Sequence, residues 1–216
     1  MNLMSRALVV SMAFSGFLGA GNANAQSLED SWRAALDGNL PALEKVIERG
    51  NSPDTSDSNG NTLLMLAARS GSVPAVSYLI SQKAAVNRRN KFGDTALMAA
   101  ALLGHVEVAK VLLANGAEIN SDGWSRLHYA AFEGRARMVK FLLDNGAAKN
   151  AIAPNEFTPL MFAVRNGHTD AAKALLYGDP DVNYRTRSGG DTALRLAQKK
   201  GYEPVVELLK RAGAVE

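Results

Sequence analysis

The sequence predicts an all-α solenoid, a stack of about six short helix pairs with β-hairpin tips between them. Two periodicities point to it. A glycine stands between apolar runs at Gly38, Gly71, Gly104, Gly134, Gly167 and Gly201, with spacings of 33, 33, 30, 33 and 34 residues. An asparagine keeps the same rhythm at Asn87, Asn120, Asn150 and Asn183, with spacings of 33, 30 and 33. Both series lose three residues in the same unit, so they measure one repeat. A fixed period of this length marks an array whose units bury their apolar faces against one another.

Along the chain, residues 1–25 read as a secretory signal. Arg6 precedes an apolar run from Ala7 to Ala20, and Ala23-Asn24-Ala25 has the small-residue pattern of a cleavage site. The run is too short and too diluted by Ser and Gly to cross a bilayer, which takes roughly 20 apolar residues. Cleavage after Ala25 is expected to leave residues 26–216 as one repeat domain with no membrane span. The 216-residue chain has no cysteine. An exported chain of this kind must therefore hold together by packing, and a periplasm is the compartment expected.

The first unit, about Leu28 to Gly50, is divergent and carries Glu29, Asp30 and Arg33, as a capping unit with one solvent-facing side should. In the later units Thr62, Thr95, Ser125, Thr158 and Thr192 each precede an apolar run, where a hydroxyl can accept a bond from a first-turn amide. Pro159 follows Thr158 at the first helical position, where a missing N–H costs nothing. Gly104 and Gly167 fit the turn between paired helices. Ala67-Ala68, Ala100-Ala101 and Ala130-Ala131 let helices approach closely. Leu112-Leu113, Leu142-Leu143, Leu175-Leu176 and Leu208-Leu209 supply buried volume. The last unit starts near Tyr184, and Arg195, Gln198, Lys199 and Lys200 interrupt its apolar pattern, so it reads as the second cap.

Two stretches carry a family likeness: Gly93-Asp-Thr-Ala-Leu-Met-Ala-Ala-Ala-Leu-Leu-Gly104-His and Glu156-Phe-Thr-Pro-Leu-Met-Phe-Ala-Val-Arg-Asn-Gly167-His. They resemble the ankyrin repeat, and the resemblance runs from about Leu28 to Ala214. It is similar to that of exported bacterial ankyrin-repeat proteins, which implies a periplasmic scaffold that stabilises or inhibits another protein.

Chemistry of its own is not expected. His105, His128 and His168 all occupy motif positions, which points to scaffold roles, and no pair of them has metal-ligand spacing. Asp54, Asp57, Asp179 and Asp181 lie beside Pro53 and Pro180, at turn tips where Asp is ordinary. No Gly-rich phosphate loop and no nucleophile elbow is present. The chain therefore reads as no enzyme, with no catalytic residue, metal or cofactor. Lys and Arg exceed Asp and Glu by only 24 to 21, so a nucleic-acid partner is not expected. Binding to an anionic surface through the basic residues is the alternative. A capped array needs no second copy, so a monomer is expected.

The resemblance implies that a partner meets the concave side, made of hairpin tips and the exposed face of each first helix. On that side lie Arg89, Lys91, Phe92, Asp94, Leu103, Trp124, Phe132, Glu133, Asn155, Phe157, Arg165, Arg187 and Asp191. Phe92, Leu103, Trp124, Phe132 and Phe157 are large apolar groups at positions that most such repeats leave polar. Aromatic residues with a rim of arginine are the usual make-up of a binding hot spot. The shortened tip between Asn120 and Gly123 is expected to notch the row of tips beside Trp124, the foremost candidate.

Overall fold

The computed structural model describes residues 23–121 and 123–215, with side chains from residue 28 onward. The expected signal segment lies outside the described residues except for its last three positions. Among the described residues there are twelve helices in six pairs: α1 (Ala23–Leu36) with α2 (Leu40–Glu48), α3 (Leu63–Ser70) with α4 (Val73–Ser81), α5 (Ala96–Leu103) with α6 (Val106–Ala114), α7 (Arg126–Phe132) with α8 (Ala136–Asp144), α9 (Pro159–Arg165) with α10 (Thr169–Tyr177), and α11 (Ala193–Lys200) with α12 (Glu203–Arg211). The odd-numbered helices pack one on the next as an inner row, and the even-numbered ones form an outer row.

The five expected hydroxyl caps are all in place. Thr62, Thr95, Ser125, Thr158 and Thr192 accept the N–H of the residue three further on at 3.1–3.3 Å, and all five are buried. The alanine pairs at 67–68, 100–101 and 130–131 are fully buried between inner helices. Of each leucine pair one member, Leu112, Leu142, Leu175 or Leu209, is fully buried, and the other is half-buried.

Polar bonds lock each unit to its neighbour. Asn87 donates through Nδ2 to the Gly116 carbonyl at 2.8 Å and accepts the Glu118 N–H at 2.9 Å. Asn120 holds Gly146 and Ala148 in the same way, and Asn183 holds Gly213 and Val215. Asn150 accepts the Asp181 N–H, and Asp54 plays this part for Ala85 in the unit before Asn87. At the other end of the pairs, the residues that open the outer helices reach back one unit. His105 Nε2 donates to the Arg69 carbonyl at 3.1 Å, Arg135 Nε to Leu102 at 3.3 Å and His168 Nε2 to Phe132 at 2.9 Å. The periodic glycine serves this contact. Gly134 has φ +68°, and a Cβ there would come within 2.6 Å of the His168 ring.

The tips are hairpin-shaped turns without ladders. Asp57 N–H bonds Asn61, Asn90 N–H bonds Asp94, Ala153 N–H bonds Phe157 and Thr186 N–H bonds Asp191, each closing a turn onto its own return strand. One isolated antiparallel bridge, Ser56 with Thr62, is the extent of β pairing among the described residues. Too few residues flank each turn to add further rungs.

Candidate partner-binding face

The expected binding residues fall into separate groups on the tip-and-inner-helix face. The tightest group is aromatic and centres on Phe162 of α9, which is fully buried. Trp124 lies 5.4 Å from the Phe162 ring and Phe157 lies 5.3 Å from it, centroid to centroid. The Arg165 guanidinium sits 5.0 Å from both the Phe157 and the Phe162 centroids, a cation–π geometry. Burial lowers the Arg165 pKa from its ordinary value. Trp124, Phe157 and Arg165 are each half-buried, so one edge of each is open to solvent. Trp124 does not stand clear at the notch: it also packs edge-on against His128 at 5.9 Å.

Phe132 is a correction. Its ring packs edge-on against Phe162 at 5.9 Å and it retains 8% of its exposure. It fills the seam between α7 and α9, since a large apolar ring next to a buried phenylalanine gains more from packing than from facing water. Phe162 itself escaped the sequence reading. It occupies the fourth position of its inner helix, where other units carry Leu66, Ala99, Tyr129 and Leu196, and a periodic apolar slot reads as plain core.

A second group joins units three and four. Asp94 accepts a hydrogen bond from the Tyr129 hydroxyl at 2.9 Å. Leu103 is half-buried on the same cleft wall. Around the tip before it, Phe92 is half-buried and Lys91 exposed. Arg89 is exposed, with Nη1 3.4 Å from the Gly93 carbonyl and Nη2 3.6 Å from Glu118. The remaining residues are dispersed. Glu133 lies 4.0 Å from Arg135. Asn155 is exposed and caps its own turn through Phe157 N–H. Arg187 is exposed, and the Asp191 N–H bonds Thr186 Oγ1 at 2.9 Å.

The histidines serve the scaffold. His128 is fully buried: its Nδ1 accepts the Ser125 N–H at 3.1 Å, and Nε2 donates to the Phe157 carbonyl at 3.1 Å. Burial depresses its pKa from 6.5 to about 4, against smaller opposing contributions from carbonyl bonds. Beside it, Arg126 is fully buried, and its three guanidinium nitrogens have no hydrogen-bond partner among the described residues. The equivalent positions in other units are Leu63, Ala96, Pro159 and Ala193. Burial lowers the Arg126 pKa, and nearby Arg89 lowers it further. No group of three or more His, Asp or Glu side chains suited to a metal occurs among the described residues. Nor is any described helix long and apolar enough to cross a membrane.

The paired helices, the hydroxyl caps and the glycine seams are met by a family model: "Ankyrin repeats (3 copies)" matches residues 31–123, 86–153 and 127–215. The chain belongs to the ankyrin-repeat family. Ankyrin repeats generally mediate protein–protein interaction, and the fold is typically a non-enzymatic scaffold. Human "Ankyrin repeat and KH domain-containing protein 1" is 38% identical over 99 residues, which are 45% of this chain and 4% of that protein. "Ankyrin repeat-containing protein P1E11.10" of Schizosaccharomyces pombe is 37% identical over 70 residues, 32% of this chain and 33% of that one. This chain thus spans a small part of the curated relatives it matches. The crystal structure of the human ASB11 ankyrin repeat domain superposes with a TM-score of 0.79 at 28% identity, covering 85% of this chain and 83% of that one.

Proposed function

We propose that this chain is an exported protein-binding module, a periplasmic ankyrin array that grips one partner protein through its tips and inner helices and so stabilises or inhibits it. The observation that carries the reading is the half-buried cluster of Trp124, Phe157 and Arg165 on Phe162. Its rings are held in place by a buried floor, so little freedom is lost when a partner covers their open edges. Arginine and aromatic groups packed together are also the usual anchors of an interface. Export rests on the residue pattern before Gln26, with cleavage after Ala25. The mature chain acts as a monomer without cofactor.

Affinity capture from a periplasmic extract tests the reading, with the parent chain run beside Arg165→Ala. Arg165→Ala removes the guanidinium that covers Phe157 and Phe162, and circular dichroism checks that the variant is folded. Recovery of one protein by the parent, reduced by the variant, is the expected outcome. A complex that dissolves steeply with salt and forms equally on anionic vesicles would replace this reading with surface binding through the basic residues. Mass measurement of the chain recovered from the periplasm checks the cut after Ala25.

A further inference from the structure

The fourth position of the inner helix is filled by Leu66, Tyr129, Phe162 and Leu196 in units two, four, five and six, but by Ala99 in unit three. The missing side chain leaves a cleft of about 50 Å³ between α3, α5 and α7. Its floor is apolar: Met65, Met98 and Leu102 line it with 5%, 5% and 8% of their exposure left. One wall is fixed, because the Tyr129 hydroxyl is bonded to Asp94. A water needs roughly 10–15 Å³ of such space, so the cleft has room for about four non-hydrogen atoms. That is the size of a leucine or isoleucine side chain.

At the rim stands Arg69, half-buried, whose guanidinium makes no hydrogen bond or ion pair to another described residue. Asp57, whose charge acts on Arg69, accepts the N–H groups of Asn59 and Asn61 and the Asn61 side chain, at 2.8 Å each. Asp94, on the cleft wall, and Glu156 accept bonds from the neutral hydroxyls of Tyr129 and Ser188 and keep their charge. Arg69, Lys91, Arg187, Lys199 and Lys200 have no carboxylate within ion-pair distance among the described residues. Arg69 is thus a cation at the mouth of an apolar cleft, where a partner's carboxylate can pair with it.

We propose that the cleft at Ala99 receives a leucine or isoleucine side chain from an acidic segment of the partner protein, whose neighbouring carboxylate pairs with Arg69. This rests on the protein-binding reading above and specifies the chemistry of the partner. Apolar fit and charge each supply part of the selectivity.

A random peptide library displayed on phage, selected on the full chain, tests it. The expected enriched sequences place Leu or Ile within two residues of Asp or Glu. Made as labelled peptides, they should lose about tenfold or more in affinity toward Arg69→Met and toward Ala99→Leu, the latter filling the cleft as the other units do. Changing their acid to the amide should cost a similar factor against the parent and nothing against Arg69→Met. Arg69→Lys, which keeps the charge, should retain part of the binding. If Ala99→Leu does not fold, Ala99→Val and Arg69→Met carry the test. Failure to enrich such sequences, or peptides indifferent to both variants, overturns the proposal, as does displacement of the peptides by phosphatidylglycerol vesicles. A partner captured from extract equally by the parent, Arg69→Met and Ala99→Leu would overturn it too, while leaving the protein-binding reading standing.

Discussion

Replacing Arg126 by leucine should make the array more stable. The guanidinium is fully buried, and none of its three nitrogens has a partner among the described residues. Unsatisfied buried donors cost about 1–3 kcal/mol, and more when charged. Exchanging buried ionic groups for apolar ones of similar volume commonly gains about 1–4 kcal/mol. Leucine keeps about as many apolar carbons as the arginine stem, and the equivalent positions Leu63, Ala96, Pro159 and Ala193 show that the slot accepts apolar groups. The net gain should be about 2 kcal/mol. For a chain of this size it would raise the melting temperature by about 4–8 °C. Urea unfolding followed by far-UV circular dichroism measures it as a higher midpoint at unchanged slope. Arg126→Lys, which keeps a buried charge, should show no such gain. A loss of about 3 kcal/mol or more in Arg126→Leu would refute the reasoning, because a loss of that size marks the removal of one member of a buried ion pair.

Three further outcomes are expected. His128 has a folded-state pKa near 4 against 6.5 for the free group, so the fold favours the neutral ring. The stability this contributes is complete above pH 6.5 and is lost as pH falls from about 6.5 to about 4, amounting to about 3 kcal/mol. Denaturation curves across that range check it, and the sag should be absent in His128→Gln. Gly134→Ala should cost about 2–4 kcal/mol, since it places a Cβ at φ +68° within 2.6 Å of the His168 ring; a thermal melt within a degree of the parent would show that the ring moves aside freely. Lys83 has φ +69° in the turn position that Gly50, Gly116, Gly146 and Gly213 fill elsewhere. Lys83→Gly should gain about 0.5–1 kcal/mol, the relief of left-handed strain less the extra freedom of the unfolded chain, readable as a small rise in the urea midpoint.

What the sequence disclosed was whatever depends on near neighbours and repeats. A hydroxyl before an apolar run caps its own helix within three residues, so Thr62, Thr95, Ser125, Thr158 and Thr192 could be read directly. The asparagine period was equally plain, yet its purpose was not, because each Asn acts on the next unit's turn, 26–32 residues away. Residues of one chemical type met different fates for the same reason. Phe132 and Phe157 both sit near the exposed side of the repeat pattern. Phe132 turns into the seam against Phe162, while Phe157 keeps an open edge under Arg165. Nor could composition show that Ala99 is a gap. An alanine in an alanine-rich helix reads as close packing until its counterparts in the neighbouring units are seen to be Leu, Tyr and Phe.

The seam bonds have a consequence for how such a chain can change length. Asn87, Asn120 and Asn183 each tie their unit to the same two turn groups of the next, so these junctions present like pairs of surfaces. Removing residues 88–120, one whole period, would bring Asn87 to the place of Asn120, facing the Gly146 carbonyl and the Ala148 N–H that Asn120 now holds. The shortened chain would keep like against like along its length while losing the unit that carries Ala99. Unequal recombination can thus lengthen or shorten the gripping surface a unit at a time, adding or discarding a whole recognition element without the rest of the stack having to repack.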